Sequence, residues 1–467
     1  MSQSAEPDPL LARASGKIVR RLIPFLMLCY FVAYLDRVNV AFAGLTMNAD
    51  LGFTAEMFGF GGGIFFAGYF LFEVPSNLLL ERFGARRWIA RIMVTWGALA
   101  AGMASIAGPT SFYAMRFLLG VAEAGFFPGV ILYLTYWFTA EQRARWIGMF
   151  MTAIPLSSVI GGPVSGWILD HLHGALGLAG WQWLFLLEGL PSVAVGLACL
   201  VYLDDGPASA AWLEPAERDA LLGRLAAERR DCEAVHGFTL REALTNRRVL
   251  ALSLVYFGIV CGNYGLGYWL PTIVSGVARS ARLDAATGIS LNTLTGALVA
   301  VPYALAVVAM IAWTRRSDRT GERVWHVAGP SILGGVSLAA AAQLADPRLG
   351  AAALTLAAVC TYAALPTFWT LPTAFLTGTA AAGGIALVNS IGNLGGFVGP
   401  YLLGWLQQTT GAPGAGLLVL AACYVMAGVV TAFLGHEPGA ERIAATSPAR
   451  PPASARSGDA ASRSPRN

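Results

Sequence analysis

The sequence is poor in charged residues. Only 12% of its 467 residues are Asp, Glu, Lys or Arg, and its mean hydropathy is +0.59, whereas soluble globular domains carry about 25% charged residues. This composition excludes an ordinary water-soluble domain and indicates a membrane protein with several spans. The formal net charge of +4 lies mainly in loops, so it predicts no nucleic-acid binding.

Cysteine pairs and enzyme signatures are missing as well. No two of the six cysteines form a CxxC pair, and most of them fall in apolar stretches, which excludes a disulfide framework and a cysteine metal site. Neither HExxH nor GxSxG occurs, so we expect no enzyme activity and no cofactor. Before residue 22 the chain is polar and basic, without the apolar core of a cleavable signal peptide.

Long apolar runs are what the sequence does contain. A run of about 20 residues crosses a bilayer as a helix, and twelve such runs are present. They cover residues 22–45, 57–80, 88–107, 111–137, 145–168, 181–203, 248–275, 289–313, 325–344, 350–376, 382–407 and 413–436. We therefore predict an all-α membrane protein with twelve transmembrane helices in two six-helix halves.

Arginine is distributed unevenly between the two sets of loops. If the N-terminus is cytoplasmic, the opposite loops hold only Arg279, Arg282 and Arg348, and the cytoplasmic loops hold many more. Because Lys and Arg are enriched in cytoplasmic loops, we predict that both termini are cytoplasmic. The predicted segments are a cytoplasmic N-terminal segment (1–21), a six-helix bundle (22–203), a cytoplasmic linker (204–247), a second six-helix bundle (248–436) and a disordered tail (437–467). Within the linker, residues 214–222 are predicted to form a short surface helix.

Two loops repeat one pattern at corresponding places in the two halves. Glu81-Arg82-Phe83-Gly84 follows the second span, and Asp318-Arg319-Thr320-Gly321 follows the eighth. Duplicated halves are an architecture of membrane transporters.

These loops resemble the loop signature of the major facilitator superfamily, although Asn77 and Thr314 stand where that signature usually has Gly, and Glu81 replaces its usual first-half Asp. Arg116-x-x-x-Gly120 in the fourth span is similar to the second signature of the superfamily. Three further stretches resemble its anion:cation symporter family, particularly the bacterial tartrate, phthalate and hydroxyphenylacetate permeases; they are Tyr34-Leu35-Asp36-Arg37-Val38-Asn39 and residues 123–129 and 389–397. The resemblance runs from Arg20 to Glu437 and implies a secondary transporter in the bacterial inner membrane.

The first span contains two adjacent charges, Asp36 and Arg37. Charged residues deep in a membrane helix are costly, so they mark candidate functional sites. One interpretation is structural, with both residues neutralising partners on neighbouring helices. The other is functional: Asp36 exchanges a proton and Arg37 grips a carboxylate with two parallel hydrogen bonds. Successive helical residues point about 100° apart, so the two need not face the same partner.

The fourth span carries Arg116 and Glu123, seven residues apart and near one face. Glu123 lies roughly 18 Å from the outer end of its helix, at a depth similar to that of Asp36. The resemblance implies that Asp36 and Glu123 carry protons and that Arg37 holds the substrate carboxylate. The alternative for Glu123 is a permanent ion pair with Arg116 or Arg37, and Arg116 either tunes Glu123 or ties the first half together.

Other charged residues are assigned to gating or to structure. We expect Glu73, near the cytoplasmic end of the second span, to tie helices or form a gate, for instance with Arg143 or Arg145. We expect Glu188 in the sixth span to be structural. The pairs Glu81 with Arg82 and Asp318 with Arg319 are expected to form charge networks that close the cytoplasmic side and break when the halves rock.

The second half supplies polar rather than charged groups. Asn389, Ser390 and Asn393 lie in the eleventh span, and a buried amide must find partners away from water. We expect Asn389, Ser390 and Asn393 to contact the substrate. Asn389 and Asn393 share a helical face, and the resemblance implies this contact for Asn393. Tyr69 and Tyr264 are our further candidates for the cavity wall.

These observations predict proton-coupled import of a small mono- or dicarboxylate anion, with a slight preference for an aromatic one, by a monomer that alternates between two open states. An exporter or exchanger of the same fold is the alternative. A sensor that transports nothing is the alternative from another class, and it would leave the buried acids without a role.

Overall fold

The computed structural model describes residues 9–234, 245–373, 378–411 and 413–434. Within these ranges the regular structure is helical, with no strand. The helices are α1 (Pro9–Leu51), α2 (Ala55–Phe83), α3 (Ala85–Gly102), α4 (Pro109–Glu123), α5 (Phe126–Thr135), α6 (Ala140–Met151), α7 (Ala153–His171), α8 (Gly180–Tyr202), α9 (Pro215–Ala234), α10 (Arg247–Ser280), α11 (Leu283–Thr287), α12 (Leu291–Thr320), α13 (Val324–Gln343), α14 (Pro347–Phe368), α15 (Thr370–Thr373), α16 (Gly378–Thr410) and α17 (Pro413–Leu434), with single 3-10 turns at Met103–Ser105, Ala175–Gly177 and Pro207–Ser209.

Each predicted span coincides with one long helix or with consecutive shorter helices. In the part of the chain that the structure describes, ten segments are long and apolar enough to cross a membrane by length and composition. Helices α3 and α16 occupy the other two predicted spans, and α3 begins with the basic stretch Ala85-Arg86-Arg87. The predicted all-α membrane fold is therefore confirmed.

Helix α1 begins at Pro9, so much of the predicted N-terminal segment 1–21 is helical. Ala14 and Ile18 are buried on one face of this extension. Lys17 lies between them in sequence, and its Nζ pairs with Glu214 and Glu217 of the linker region at 3.0 and 2.8 Å. This ammonium group holds the pKa of Glu217 below its usual range. The extension was not predicted because its apolar residues alternate with charged ones, so it forms no long apolar run.

The linker helix is longer than predicted. Its first residue is Pro215, inside the predicted stretch 214–222, but α9 continues to Ala234. Proline suits a first helical turn because its missing N–H has no intrahelical acceptor there. The predicted disordered tail, residues 437–467, lies outside the described residues.

The two halves meet mainly along two pairs of helices. Helices α2 and α16 form one pair, and α7 and α12 form the other. Small residues allow close approach: a Cβ atom added to Gly162 would lie 2.8 Å from the carbonyl oxygen of Gly296 in the other half. Such contacts replace the hydrophobic effect as the source of helix association in lipid. They leave a cavity between the halves, next to α1 and α10.

Candidate functional site

A cavity between the two halves is lined by Arg37 and by many aromatic side chains. The part towards the predicted cytoplasmic end is bounded by residues of both halves, among them Tyr30, Tyr69, Tyr256, Asn389 and Asn393. The part towards the other end is bounded by Arg116, Tyr268, Tyr303 and Tyr362. Both parts share Tyr34, Arg37, Phe66, Asn263 and Tyr264. The Arg37 guanidinium therefore lies at the junction of the two chambers.

The protein supplies hydrogen-bond acceptors to only part of the Arg37 guanidinium group. Its side chain is 10% exposed, its Nη2 donates to Oε1 of Glu123, and its Nη1 donates to the Tyr264 hydroxyl at 2.7 Å. The Nε–H group has no hydrogen-bond partner. The rings of Tyr34, Tyr69 and Tyr264 lie 5.0–5.9 Å from the guanidinium carbon, within the range of cation–π attraction. These two bonds use two of the five N–H groups of the guanidinium, so Nε–H and others remain for an incoming acceptor.

Glu123 is held at the end of a broken membrane span. It is the last residue of α4 and is buried. The chain then turns at Gly125, whose φ of +85° favours glycine. A Cβ atom there would also lie 2.4 Å from the Ser76 hydroxyl. The break separates α4 from α5 next to the ion pair between Glu123 and Arg37.

Arg116 does not pair with Glu123. Its Nε donates to the carbonyl oxygen of Gly61 at 3.1 Å, and its Nη2 reaches that of Gly62 at 3.5 Å. These bonds tie α4 to the glycine-rich turn of α2. Of the two arginines proposed from the sequence as partners of Glu123, the structure therefore places Arg37 in that position.

Asp36 faces away from the cavity. Its Oδ2 accepts hydrogen bonds from Trp96 of α3, at 3.0 Å, and from Ser192 of α8. Asp36 and Arg37 thus contact different partners, as the 100° turn between neighbouring helical residues allows. The structure does not bring the two predicted proton carriers, Asp36 and Glu123, into one chamber.

Glu73 joins the two halves. Its Oε1 accepts a hydrogen bond from Nδ2 of Asn389, and its Oε2 lies 3.5 Å from the Ser390 hydroxyl. Both residues had been predicted to contact substrate, and Asn389 still borders the cavity together with Asn393. The side chains of Arg143 and Arg145, proposed as partners of Glu73, lie outside the described residues. Sequence alone gave no sign of the Glu73–Asn389 contact, because 316 positions separate the two residues.

The loop signatures lie away from the cavity. Glu81, Arg82 and Arg319 are exposed, and within the described residues none of the three makes an ion pair. The Arg82 guanidinium instead lies 5.7 Å from the ring of Phe83. The side chain of Asp318 lies outside the described residues. The predicted charge network between these loops remains a prediction.

A second contact between the halves, which sequence reasoning missed, lies at the opposite end of the molecule. Asp170, near the end of α7, accepts hydrogen bonds from the side chains of Ser290, Asn292 and Thr293 and from the backbone N–H of Thr293, at 2.6–2.8 Å. A carboxylate at a helix N-terminus also interacts favourably with the helix dipole. We call this group the outer latch. Its sequence signal was the polar run Ser290-Leu291-Asn292-Thr293 at the start of α12.

The outer latch predicts the effect of an Asp170→Asn substitution. The amide keeps the shape but loses the charge, and hydrogen bonds to a charged group contribute about 1.5–3 kcal/mol each against about 1 kcal/mol for neutral ones. We expect the population open at this end to rise about tenfold, since about 1.4 kcal/mol changes an equilibrium tenfold. Spin labels in the loops after Asp170 and before Ser290 should report longer distances. Unchanged distance distributions would show that the latch does not hold this end closed.

The chain matches known transporters along most of its length. A model of the Major Facilitator Superfamily matches residues 26–400. A "Putative tartrate transporter" of Agrobacterium vitis is 50% identical over 91% of this chain and 96% of its own length. A "Quinolone resistance transporter" of Acinetobacter baumannii is 41% identical over 86% of this chain and 90% of its own. Among solved structures, the partially occluded inward-open xylose transporter XylE of E. coli superposes with a TM-score of 0.70 at 13% identity, over 90% of this chain and 100% of its own.

Proposed function

Because the chain belongs to the major facilitator superfamily and is a multi-pass membrane transporter, we propose that it imports a small organic carboxylate anion together with protons across the bacterial inner membrane. It does so as a monomer, by alternating access, with both termini in the cytoplasm. The observation that carries this proposal is the position of Arg37 at the junction of the two chambers, together with its ion pair to the buried Glu123.

Arg37 supports the choice of an anionic substrate. It is a permanent cation that borders the cavity and has an unpartnered Nε–H. A planar guanidinium binds a carboxylate through two parallel hydrogen bonds. The aromatic rings around Arg37 offer apolar faces to the rest of the substrate. The name of the Agrobacterium vitis relative points to a hydroxylated dicarboxylate as the first compound to test.

Glu123 links anion binding to proton uptake. A substrate carboxylate that binds Arg37 replaces Glu123 as its counter-ion, so the Glu123 carboxylate is left buried without a cation. A buried unpaired carboxylate is costly and takes up a proton instead. After the substrate has left, Glu123 releases the proton and pairs with Arg37 again. The two ligands are therefore bound and released together.

Contacts at both ends of the cavity support alternating access. At the predicted cytoplasmic end Glu73 binds Asn389, and at the other end the outer latch binds α12 to Asp170. Both contacts join the two halves, so each has to break when its end opens. We assign Glu73 and the outer latch to the two gates, and Asn393 and Tyr69 to the cavity wall.

Uptake into proteoliposomes tests the function. The purified protein would be reconstituted and given radiolabelled tartrate or benzoate under an inward proton gradient. We expect accumulation of at least one anion, which collapses when an uncoupler is added. Uptake that does not depend on the gradient would contradict the proposal, as would the absence of gradient-driven uptake for tartrate, benzoate and a panel of other small carboxylates.

Export is the second candidate, because a relative that is 41% identical is named a quinolone resistance transporter. An exporter would exchange internal anion for external protons. The same vesicles, preloaded with the anion and exposed to an acidic outside, distinguish the two directions. Accelerated efflux under that gradient favours export, and retention of the anion favours import.

A further inference from the structure

A second buried carboxylate lies across the interface of α1 and α8 from Asp36, inside the first half. Asp36 of α1 and Glu188 of α8 are 1% and 2% exposed. Ser192, four residues after Glu188 and on the same face of α8, donates to Asp36. Asn39, three residues after Asp36 on α1, lies beside Glu188. The two helices therefore face each other with an acid and a polar residue each.

Both acids keep one oxygen without a partner. Oδ2 of Asp36 accepts from Trp96 and Ser192, and Oε1 of Glu188 accepts from Ser165 of α7 at 2.7 Å. Oδ1 of Asp36 and Oε2 of Glu188 are buried and have no partner at hydrogen-bond distance, and the amide of Asn39 also interacts with the Glu188 carboxylate. Native proteins rarely leave such atoms unsatisfied, so each of them needs an explanation.

The contacts that the surrounding helices make with the two acids in the described residues are polar and uncharged. Helix α3 contributes Trp96, and α7 contributes Ser165. Besides Glu188, the acid that interacts electrostatically with Asp36 is Glu123 of α4, and Glu123 is already paired with Arg37. In the described ranges neither Asp36 nor Glu188 has a salt bridge to a cation. Two carboxylates that face each other in an apolar interior are too costly to be charged at the same time, so one of them takes up a proton.

We propose that Asp36 and Glu188 form a proton-binding site of the transport cycle, separate from the Arg37–Glu123 pair. Trp96, Ser165 and Ser192 position the two acids, and each acid has one unpartnered oxygen that can carry the proton. This inference rests on the proposed proton-coupled function. It makes Glu188 a coupling residue rather than a structural one, and it assigns one proton to Glu123 and one to this pair. Because Asp36 directly precedes Arg37, any movement of α1 on substrate binding reaches both sites.

The two sites together predict a coupling ratio. With a gradient of one pH unit, each coupled proton raises the limiting accumulation about tenfold, because one unit corresponds to about 1.4 kcal/mol. For an anion of single charge and with the membrane potential clamped at zero, wild type should accumulate about a hundredfold and Glu188→Gln about tenfold. Asp36→Asn and the double variant with both substitutions should also accumulate the anion about tenfold, because the two acids together bind one proton. Counterflow at equal pH should stay within about twofold of wild type, since exchange needs no net proton movement.

The tests separate this inference from the proposed function. Glu56→Gln, at the first turn of α2 and away from both sites, is the matched control and should behave as wild type. Infrared spectra at neutral pH should contain the carbonyl stretch of a protonated carboxyl group whose frequency or intensity changes in both Glu188→Gln and Asp36→Asn. That measurement on wild type and Asp36→Asn decides the proposal even if Glu188→Gln does not fold.

Several results would overturn the inference. Glu188→Gln with wild-type accumulation would remove Glu188 from coupling, and absence of the protonated band in wild type would show that the pair holds no proton. Uptake driven by a sodium gradient and abolished in Glu188→Gln would identify a sodium site instead. If uptake by wild type is not coupled to protons but its infrared spectrum contains the band of the protonated carboxyl group, the proposed function is wrong and the pair still binds a proton.

Discussion

Replacement of Arg37 with lysine is expected to lower uptake of the anion about 100-fold while the protein remains folded. Lysine keeps the charge and can still neutralise Glu123, but it cannot form the two parallel hydrogen bonds of a guanidinium. It also loses the hydroxyl contact that Tyr264 makes with Nη1. Hydrogen bonds to charged groups contribute about 1.5–3 kcal/mol each, so the loss of one or two of them accounts for this factor. Uptake and counterflow in proteoliposomes should fall together, because the lost contact is with the substrate.

A double variant separates the substrate role of Arg37 from its structural role. Arg37→Ala leaves Glu123 buried without its counter-ion, which costs about 3–5 kcal/mol in comparable pairs, so the melting temperature should fall. Adding Glu123→Gln removes the orphaned charge and should restore the melting temperature without restoring transport. If the double variant transported the anion, Arg37 would be only a helix tie, and the structural interpretation of this residue would be correct.

The buried charges could be found from the sequence because each of them interrupts an apolar run. Asp36, Glu73, Arg116, Glu123 and Glu188 were all recognised in this way, and all are buried in the structure. Helical geometry also anticipated that Asp36 and Arg37 need not share a partner. The depth of a residue in the membrane and the face of the helix on which it lies depend only on its position along that helix, so both can be derived from the sequence.

Partners across the molecule could not be derived in the same way. The contact of Glu73 with Asn389 and that of Asp170 with Asn292 depend on how the two halves pack, and no local pattern encodes this. For the same reason Glu188 was taken as structural. The proton-binding role proposed for it rests on the position of Asp36 across the α1–α8 interface, which only the folded bundle provides.

Glu123→Gln is expected to abolish net uptake under a proton gradient while sparing part of the counterflow exchange. The affected step is the return of the transporter without substrate, which completes the cycle of net uptake. Without substrate, Arg37 is neutralised by Glu123, and a glutamine leaves the guanidinium buried and unpaired when the cavity closes. A buried ion left without its partner costs about 3–5 kcal/mol, which would slow the return of the empty carrier by roughly 100-fold or more.

The loaded carrier is affected less, because the substrate itself neutralises Arg37 in both directions of exchange. Counterflow at equal internal and external pH should therefore persist in Glu123→Gln and lose its dependence on pH. Arg116→Lys, which keeps a cation beside the carbonyl oxygens of Gly61 and Gly62, serves as a control for disturbance of α4 and should retain gradient-driven uptake. If Glu123→Gln loses exchange together with uptake, then Glu123 is needed for substrate binding or folding. Such a result would break the link between the release of Arg37 by its carboxylate and the uptake of a proton.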